Sequence, residues 1–71
     1  MRVNEVIART RTNQEACIHY GSEVIVGSVY ELINTKEYKN YRIGDMFVTT
    51  IGTTEYLGKT ILYVRGVKAW H

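Results

Sequence analysis

The chain has 71 residues, 45% of them hydrophobic and 23% charged, and its formal net charge is +2. This composition excludes a disordered chain and a strongly basic polyanion binder, and the length predicts one domain over residues 1–71 with a thin core. The chain has one cysteine, Cys17, which excludes an internal disulfide. One cysteine and two histidines are also too few for a zinc site with four ligands of these types. We expect no cofactor, and marginal stability or self-association. No apolar run reaches the roughly 18 residues of a membrane span, so we expect no membrane contact and a cytoplasmic location.

The first part of the chain predicts three strands. Residues 3–9 carry β-branched side chains typical of a strand, and a polar connection follows them. Residues 16–20 and 23–26 are strand-like runs on either side of Gly21-Ser22, a glycine-first dipeptide that suits a two-residue type II′ hairpin turn. We therefore predict that the second and third strands form a hairpin.

A helix signal interrupts this strand-rich sequence. Ser28 and Glu31 have the S-x-x-E spacing of a capping box, and Val29, Leu32 and Ile33 follow at helical spacing. The pattern predicts a short helix over residues 29–37. A continued strand is the alternative, because Val29 also favours extended structure and short helices depend on tertiary support.

The second part of the chain returns to strand signals. Residues 43–45 (Ile-Gly-Asp) predict a turn into a strand over residues 46–51, and residues 52–58 are interpreted as a link to a last strand over residues 60–67. Three strands, a short helix and two strands is the order of an oligonucleotide-binding (OB) barrel. The predicted fold is all-β, a five-stranded OB-like barrel with one short helix between strands 3 and 4. The alternative is an SH3-like barrel, which lacks that helix.

Two segments carry a family resemblance. The run Tyr-Arg-Ile-Gly-Asp at residues 41–45 and the glycine-basic-apolar run at residues 58–65 resemble bacterial translation initiation factor 1 and the S1 RNA-binding domain. Both are OB barrels with a Gly-Asp pair entering strand 4, so the resemblance implies an OB barrel and a surface for single-stranded RNA. At two positions where S1 domains usually carry an aromatic residue and a histidine, this chain has Cys17 and Ser28.

No catalytic constellation is found. Cys17 and His19 are two residues apart on a predicted strand, a rise of about 6.6 Å, which is too far for a ready thiol–imidazole hydrogen bond. Gly58-Lys59-Thr60 ends like a phosphate-binding loop, but its spacing from the upstream glycine is wrong and a strand follows it. The carboxylates are scattered along the chain, without a pair around one bond. We therefore expect a protein that is not an enzyme.

The remaining candidate is a surface of aromatic and basic residues. On the last strand, Leu62 and Val64 are predicted to face inward, which turns Tyr63 and Arg65 outward together. The candidate nucleic-acid-binding residues are Arg9, Arg11, His19, Arg42, Lys59, Tyr63, Arg65 and Lys68.

Two functions are weighed from these residues. The first is a non-catalytic nucleic-acid-binding protein, with single-stranded RNA preferred over DNA as the partner. The second is a small protein-binding accessory or inhibitory module, of the phage or mobile-element type. Such a module docks on a larger host protein or self-associates, as Tyr, Trp and Arg are also enriched at protein interfaces.

Overall fold

The computed structural model describes residues 1–68. Three residues of the predicted loose tail, 69–71, lie outside the described part. The elements in chain order are α1 (Val3–Ala8), β1 (Glu15–Tyr20), β2 (Glu23–Ser28), α2 (Val29–Ile33), α3 (Lys36–Asn40), a 3₁₀ turn (Ile43–Asp45), β3 (Phe47–Tyr56) and β4 (Lys59–Val67). The strands form one mixed sheet in the order β2-β1-β4-β3. The central pair β1 and β4 is parallel, and each outer strand is antiparallel to its neighbour.

The prediction of a small strand-dominated fold is confirmed, but the closed five-stranded barrel is wrong. The described residues contain four strands, and their sheet stays open with β2 and β3 as its two edges. The SH3-like alternative fails for the same reason, because it also needs a closed barrel. The main cause is the segment 3–9, which forms α1 and thereby removes the strand that closure requires.

Helix α1 forms because its apolar residues fall at helical spacing, although the same residues favour strands. Val3, Val6 and Ile7 fall at helical intervals, and Val3 and Ile7 are buried. The carboxylate of Glu5 accepts a hydrogen bond from the backbone N–H of Arg2 at 2.9 Å, which satisfies a donor at the start of the helix. Burial of one apolar side outweighs the weak strand preference of β-branched residues.

The predicted hairpin at Gly21-Ser22 is confirmed. Tyr20 pairs with Glu23 across the turn, and Gly21 has φ +60, the left-handed value that the first residue of a type II′ turn requires. Strands β1 and β2 therefore stay in one continuous register along their length.

The capping box at Ser28 is also confirmed. The hydroxyl oxygen of Ser28 accepts a hydrogen bond from the backbone N–H of Glu31 at 3.2 Å, and the Glu31 carboxylate accepts from the Ser28 hydroxyl at 2.9 Å. The predicted helix over 29–37 is instead two short helices. Helix α2 ends at Ile33, and Thr35 is the N-cap of α3, where its hydroxyl accepts from the Tyr38 backbone N–H at 3.2 Å.

The second hairpin corrects the interpretation of residues 52–58 as a link. Strand β3 continues through Gly52 to Tyr56, and the turn consists of Leu57 and Gly58 alone. Both turn residues have positive φ, 51° and 77°, as a type I′ turn requires. The Gly58-Lys59-Thr60 run is thus a hairpin connection into β4.

The core lies on one side of the sheet, under the helices. Its sheet residues, such as Ile18 and Val64, pack with Val3 from α1, Leu32 from α2 and Ile43 from the 3₁₀ turn. All five are at least 99% buried. The helices therefore cover one face of the sheet and leave the other without a helical layer.

Candidate ligand-binding face

Alternate residues of each strand form the side of the sheet that the helices do not cover. Residues adjacent to core residues point away from the helices, which places Cys17 and His19 of β1 beside Tyr63 and Arg65 of β4. We call this surface the open face. The predicted orientation of β4 is confirmed, since Val64 is fully buried, Tyr63 is half-buried and Arg65 is exposed.

One row of the open face crosses all four strands at the level of Tyr63. Tyr63 pairs with Cys17 on one side and with Gly52 on the other, and Cys17 pairs with Val26 of the edge strand β2. Directly opposite side chains in a sheet lie close enough to contact each other. The Tyr63 ring thus stands between a small thiol and a residue that has no side chain.

The next row of the open face lies two residues further along the strands. Arg65 pairs with His19 on one side and with Thr50 on the other, and His19 pairs with Val24. Arg65 is therefore the next residue after Tyr63 on the same face of β4. The register of β3 shifts between Val48 and Thr50, so this row begins directly after a β-bulge.

The side chain of His19 holds the Tyr63 hydroxyl. The His19 Nδ1 lies 3.2 Å from the Tyr63 hydroxyl oxygen, and the two ring centroids are 6.4 Å apart at an interplanar angle of 56°. Both residues are half-buried. This contact anchors the Tyr63 ring on its β1 side without covering its β3 side.

Empty space lies above Gly52, on the β3 side of Tyr63. A Cβ built on Gly52 would meet no atom within 4 Å outside its chain neighbours. Thr50 and Thr54 share this face of β3, one on each side of Gly52. We call the space bounded by Gly52, Tyr63, Thr50 and Thr54 the Gly52 slot. The Gly52 backbone forms its floor, Tyr63 lies on its β4 side, and a threonine lies on either side of Gly52 along β3.

At one end of the sheet, the β3–β4 hairpin borders a small cleft. The cleft has a volume of about 150 Å³ and is lined by Glu15, Val26, Gly27, Tyr56, Leu57 and Lys59. The Lys59 ammonium lies 3.9 Å from a Glu15 carboxylate oxygen. Lys59 therefore has an acidic neighbour on the protein itself, and its charge is partly balanced.

Two further candidate residues, Arg9 and Arg11, lie on the connection between α1 and β1. They line a hollow of about 510 Å³ together with residues of the second hairpin, among them Thr53 and Leu62. Thr53 and Leu62 point to the covered side of the sheet. Arg9 and Arg11 are consequently not part of the row that contains Tyr63.

The remaining candidates lie apart from the Gly52 slot. Arg42 has a left-handed backbone (φ 53) in the helical layer, and its Nε lies 3.5 Å from the Asp45 carboxylate. Lys68 is exposed and directly follows β4. Of the eight sequence-predicted residues, the structure brings together His19, Tyr63 and Arg65.

Sequence reasoning missed two contributors to this face. Gly52 falls in the predicted link over residues 52–58, although the flanking threonines of Thr-Thr-Ile-Gly-Thr-Thr at residues 49–54 favour a strand. Phe47 is not among the predicted binding residues, yet it is exposed and the Arg2 guanidinium carbon lies 5.0 Å from the centre of its ring.

Thiol chemistry is not favoured on this face. Burial raises the pKa of the Cys17 thiol above its ordinary value, so the thiolate that a nucleophile needs is disfavoured. Within residues 1–68, no three His, Cys, Asp or Glu side chains lie together in a way that could hold a metal ion. Over the same residues, no helix is both long and apolar enough to cross a membrane.

Comparisons of the chain with family models, with curated proteins and with solved structures gave no match.

Proposed function

We propose that the protein is a non-catalytic binder of single-stranded nucleic acid, with RNA preferred, and that it binds through the open face. The observation that carries this proposal is the Gly52 slot. His19 contacts the Tyr63 hydroxyl on one side, and empty space lies over Gly52 on the other. Arg65 lies two residues after Tyr63 on the same face of β4.

The slot suits a nucleobase for three chemical reasons. A base stacked on one tyrosine face contributes about 1–3 kcal/mol, and stacking tolerates any base. Arg65 is exposed two residues beyond Tyr63 on the same face of β4, and its guanidinium matches the geometry of a phosphate. The hydroxyl groups of Thr50 and Thr54 can donate to or accept from base edges.

The charges around the slot favour moderate affinity. The chain carries a net charge of only +2, and Lys59 has Glu15 as a neighbour. Few phosphates can therefore be neutralised at once, and the slope of affinity against salt should be shallow. Stacking, rather than charge, would supply most of the binding free energy.

The direct test is fluorescence anisotropy with a short labelled single-stranded RNA at about 50 mM salt. We expect Tyr63→Ala to weaken binding by about tenfold or more, because the stacking surface is lost. Tyr63→Phe keeps the ring and is the matched control, which should bind within a few-fold of the parent. No binding by the parent protein at this salt concentration would end the proposal.

A second pair of variants tests the slot itself. Gly52→Val fills the space above the backbone and should abolish stacking while the strand is retained, since its Cβ meets no neighbouring atom. Thr53→Val, on the other side of β3, is the matched control and should bind RNA like the parent. Equal binding by both variants would show that bases do not occupy the slot.

A second candidate function is a protein-binding module, and one observation favours it. Leu57 is 84% exposed at the tip of the second hairpin, beside Tyr56, which is 46% exposed. Exposed apolar side chains at a hairpin tip are typical of protein contacts. A pull-down with and without nuclease separates the two functions, because a protein partner survives nuclease treatment. Leu57→Asn should then release that partner and still suit the left-handed turn conformation.

A further inference from the structure

The two edges of the sheet differ in how they are protected. The beginning of β3 is covered by the N-terminal residues. Its Val48 N–H donates to the Met1 carbonyl at 2.8 Å, and Phe47 forms a bridge with Arg2. The β-bulge between Val48 and Thr50 further disrupts this edge. Coverage and bulges are two of the devices by which proteins prevent edge strands from pairing with other chains.

Edge strand β2 has almost none of these devices. Its sequence, Glu-Val-Ile-Val-Gly-Ser, contains one charge, at the first position, and no proline. Its register with β1 is continuous from end to end, without a bulge. Val24 and Val26 are 53% and 37% exposed. A bare apolar edge of this kind is a template for another strand.

The hydrogen-bonding groups of β2 alternate in direction. Tyr20 and Glu23 close a two-residue turn, so Glu23 and Ile25 direct their backbone N–H and C=O groups toward β1. Val24 and Val26 consequently direct theirs outward, away from the sheet. The middle of the strand therefore offers two donors and two acceptors to a neighbouring strand.

We propose that β2 pairs with β2 of a second copy of this chain, antiparallel, around a two-fold axis at Ile25. Val24 of one copy then lies opposite Val26 of the other, and the reciprocal pair forms by symmetry. These two pairs make about four backbone hydrogen bonds. The result is one eight-stranded sheet whose open faces are continuous.

The sequence of β2 is self-complementary in this register. Apolar Val24 meets apolar Val26, and Ile25 meets its own symmetry mate on the helical side. Glu23 lies opposite Gly27 of the second copy, so the two carboxylates lie at opposite ends of the interface and do not repel each other.

A two-fold pair centred on Val26 is less favourable. It would need the backbone N–H of Ser28, which lies 3.3 Å from the Glu31 carboxylate in the capping box. Pairing in the Ile25 register leaves this cap intact. A strand edge of six residues is also smaller than a standard stable interface, so the dimer should form in the micromolar range and depend on concentration.

Sedimentation equilibrium over a range of protein concentrations tests this dimer. We expect reversible dimerisation of the parent protein and a shift toward monomer of about tenfold or more in Val26→Pro, because proline removes an outward donor. Val26→Thr keeps the donor and the β-branched shape, and it should dimerise within a few-fold of the parent.

Amide hydrogen exchange of the parent protein gives a second readout that needs no variant. The amides of Val24 and Val26 should become protected as concentration rises, whereas those of β3 should not change. A protein that is monomeric throughout, a dimer unaffected by Val26→Pro in a folded variant, or protection confined to another strand would each overturn the proposal.

Discussion

The two faces of the sheet use the same strands for different purposes. Ala16, Ile18 and Val64 have no exposed surface beneath the helices, whereas His19 and Arg65, each one residue further along, reach the open side. On the covered face, side chains are chosen for packing. The open face also buries Ile61 and Cys17, but beside them it presents a half-buried aromatic ring, an exposed arginine and a glycine in neighbouring register positions. The difference separates the residues that we expect to set stability from those that we propose to bind a ligand.

The largest expected difference between the two faces is in the free energy of unfolding of variants at two adjacent residues of β1. Ile18→Ala should lower the free energy of unfolding by about 2–5 kcal/mol, because it opens a cavity in the core. His19→Ala should lower it by less than about 1 kcal/mol, since only a half-buried contact is lost. Urea denaturation of both variants measures the two values. Similar losses from both would mean that the open face also carries the fold.

Two glycines, one on each face, should differ less in the effect of an alanine substitution on stability. A Cβ on Gly66 would lie 3.0 Å from the Val3 side chain and 3.2 Å from the Met46 Cβ, beneath the helices. Gly66→Ala should therefore destabilise the protein by about 1–3 kcal/mol. Gly52→Ala meets open space and should leave stability unchanged or raise it by up to about 1 kcal/mol. Thermal unfolding of the two variants measures both effects, and destabilisation by Gly52→Ala would show that the slot is already filled.

The smallest expected effect is a loss of stability at alkaline pH, to which groups on both faces contribute. Burial raises the pKa of Cys17 on the open face, and burial followed by the charges of Glu37 and Glu23 raises the pKa of Tyr20 on the covered face. A raised pKa means that the unfolded chain ionises first. Stability is then complete below the unfolded values, about 8.5 for Cys and 10 for Tyr, and declines as pH rises above them.

Two variants separate these contributions in urea titrations at increasing pH. Cys17→Ala should flatten the decline that begins near the thiol value, and Tyr20→Phe should flatten only the later part. Curves that fall in parallel with the parent protein would assign the alkaline loss to other groups.

Local signals of the sequence predicted local structure well. The Gly21-Ser22 turn and the Ser28–Glu31 capping box are confirmed because each depends on residues within a few positions of one another. The alternation that turns Tyr63 outward is confirmed for the same reason. These predictions turned Tyr63 and Arg65 outward together even though the predicted closed barrel was wrong.

The errors arose where long-range packing decides the structure. The β-branched residues of α1 are held in a helix by burial of Val3 and Ile7, which strand propensity alone does not reveal. The second hairpin turn has Leu57 at φ 51, a conformation that leucine seldom adopts. The residue type at this position therefore does not indicate a type I′ turn. The parallel pairing of β1 with β4 joins residues 46 positions apart, as His19 and Arg65 show, and no local pattern encodes it.

The most direct measurement is NMR mapping of the backbone amides while a short single-stranded RNA is added at about 50 mM salt. We expect the largest shift changes at Thr50, Gly52, Tyr63 and Arg65, with small changes at the helical residues around Arg42. Changes centred on the helical layer, or no changes at any amide, would contradict the assignment of the open face as the binding surface.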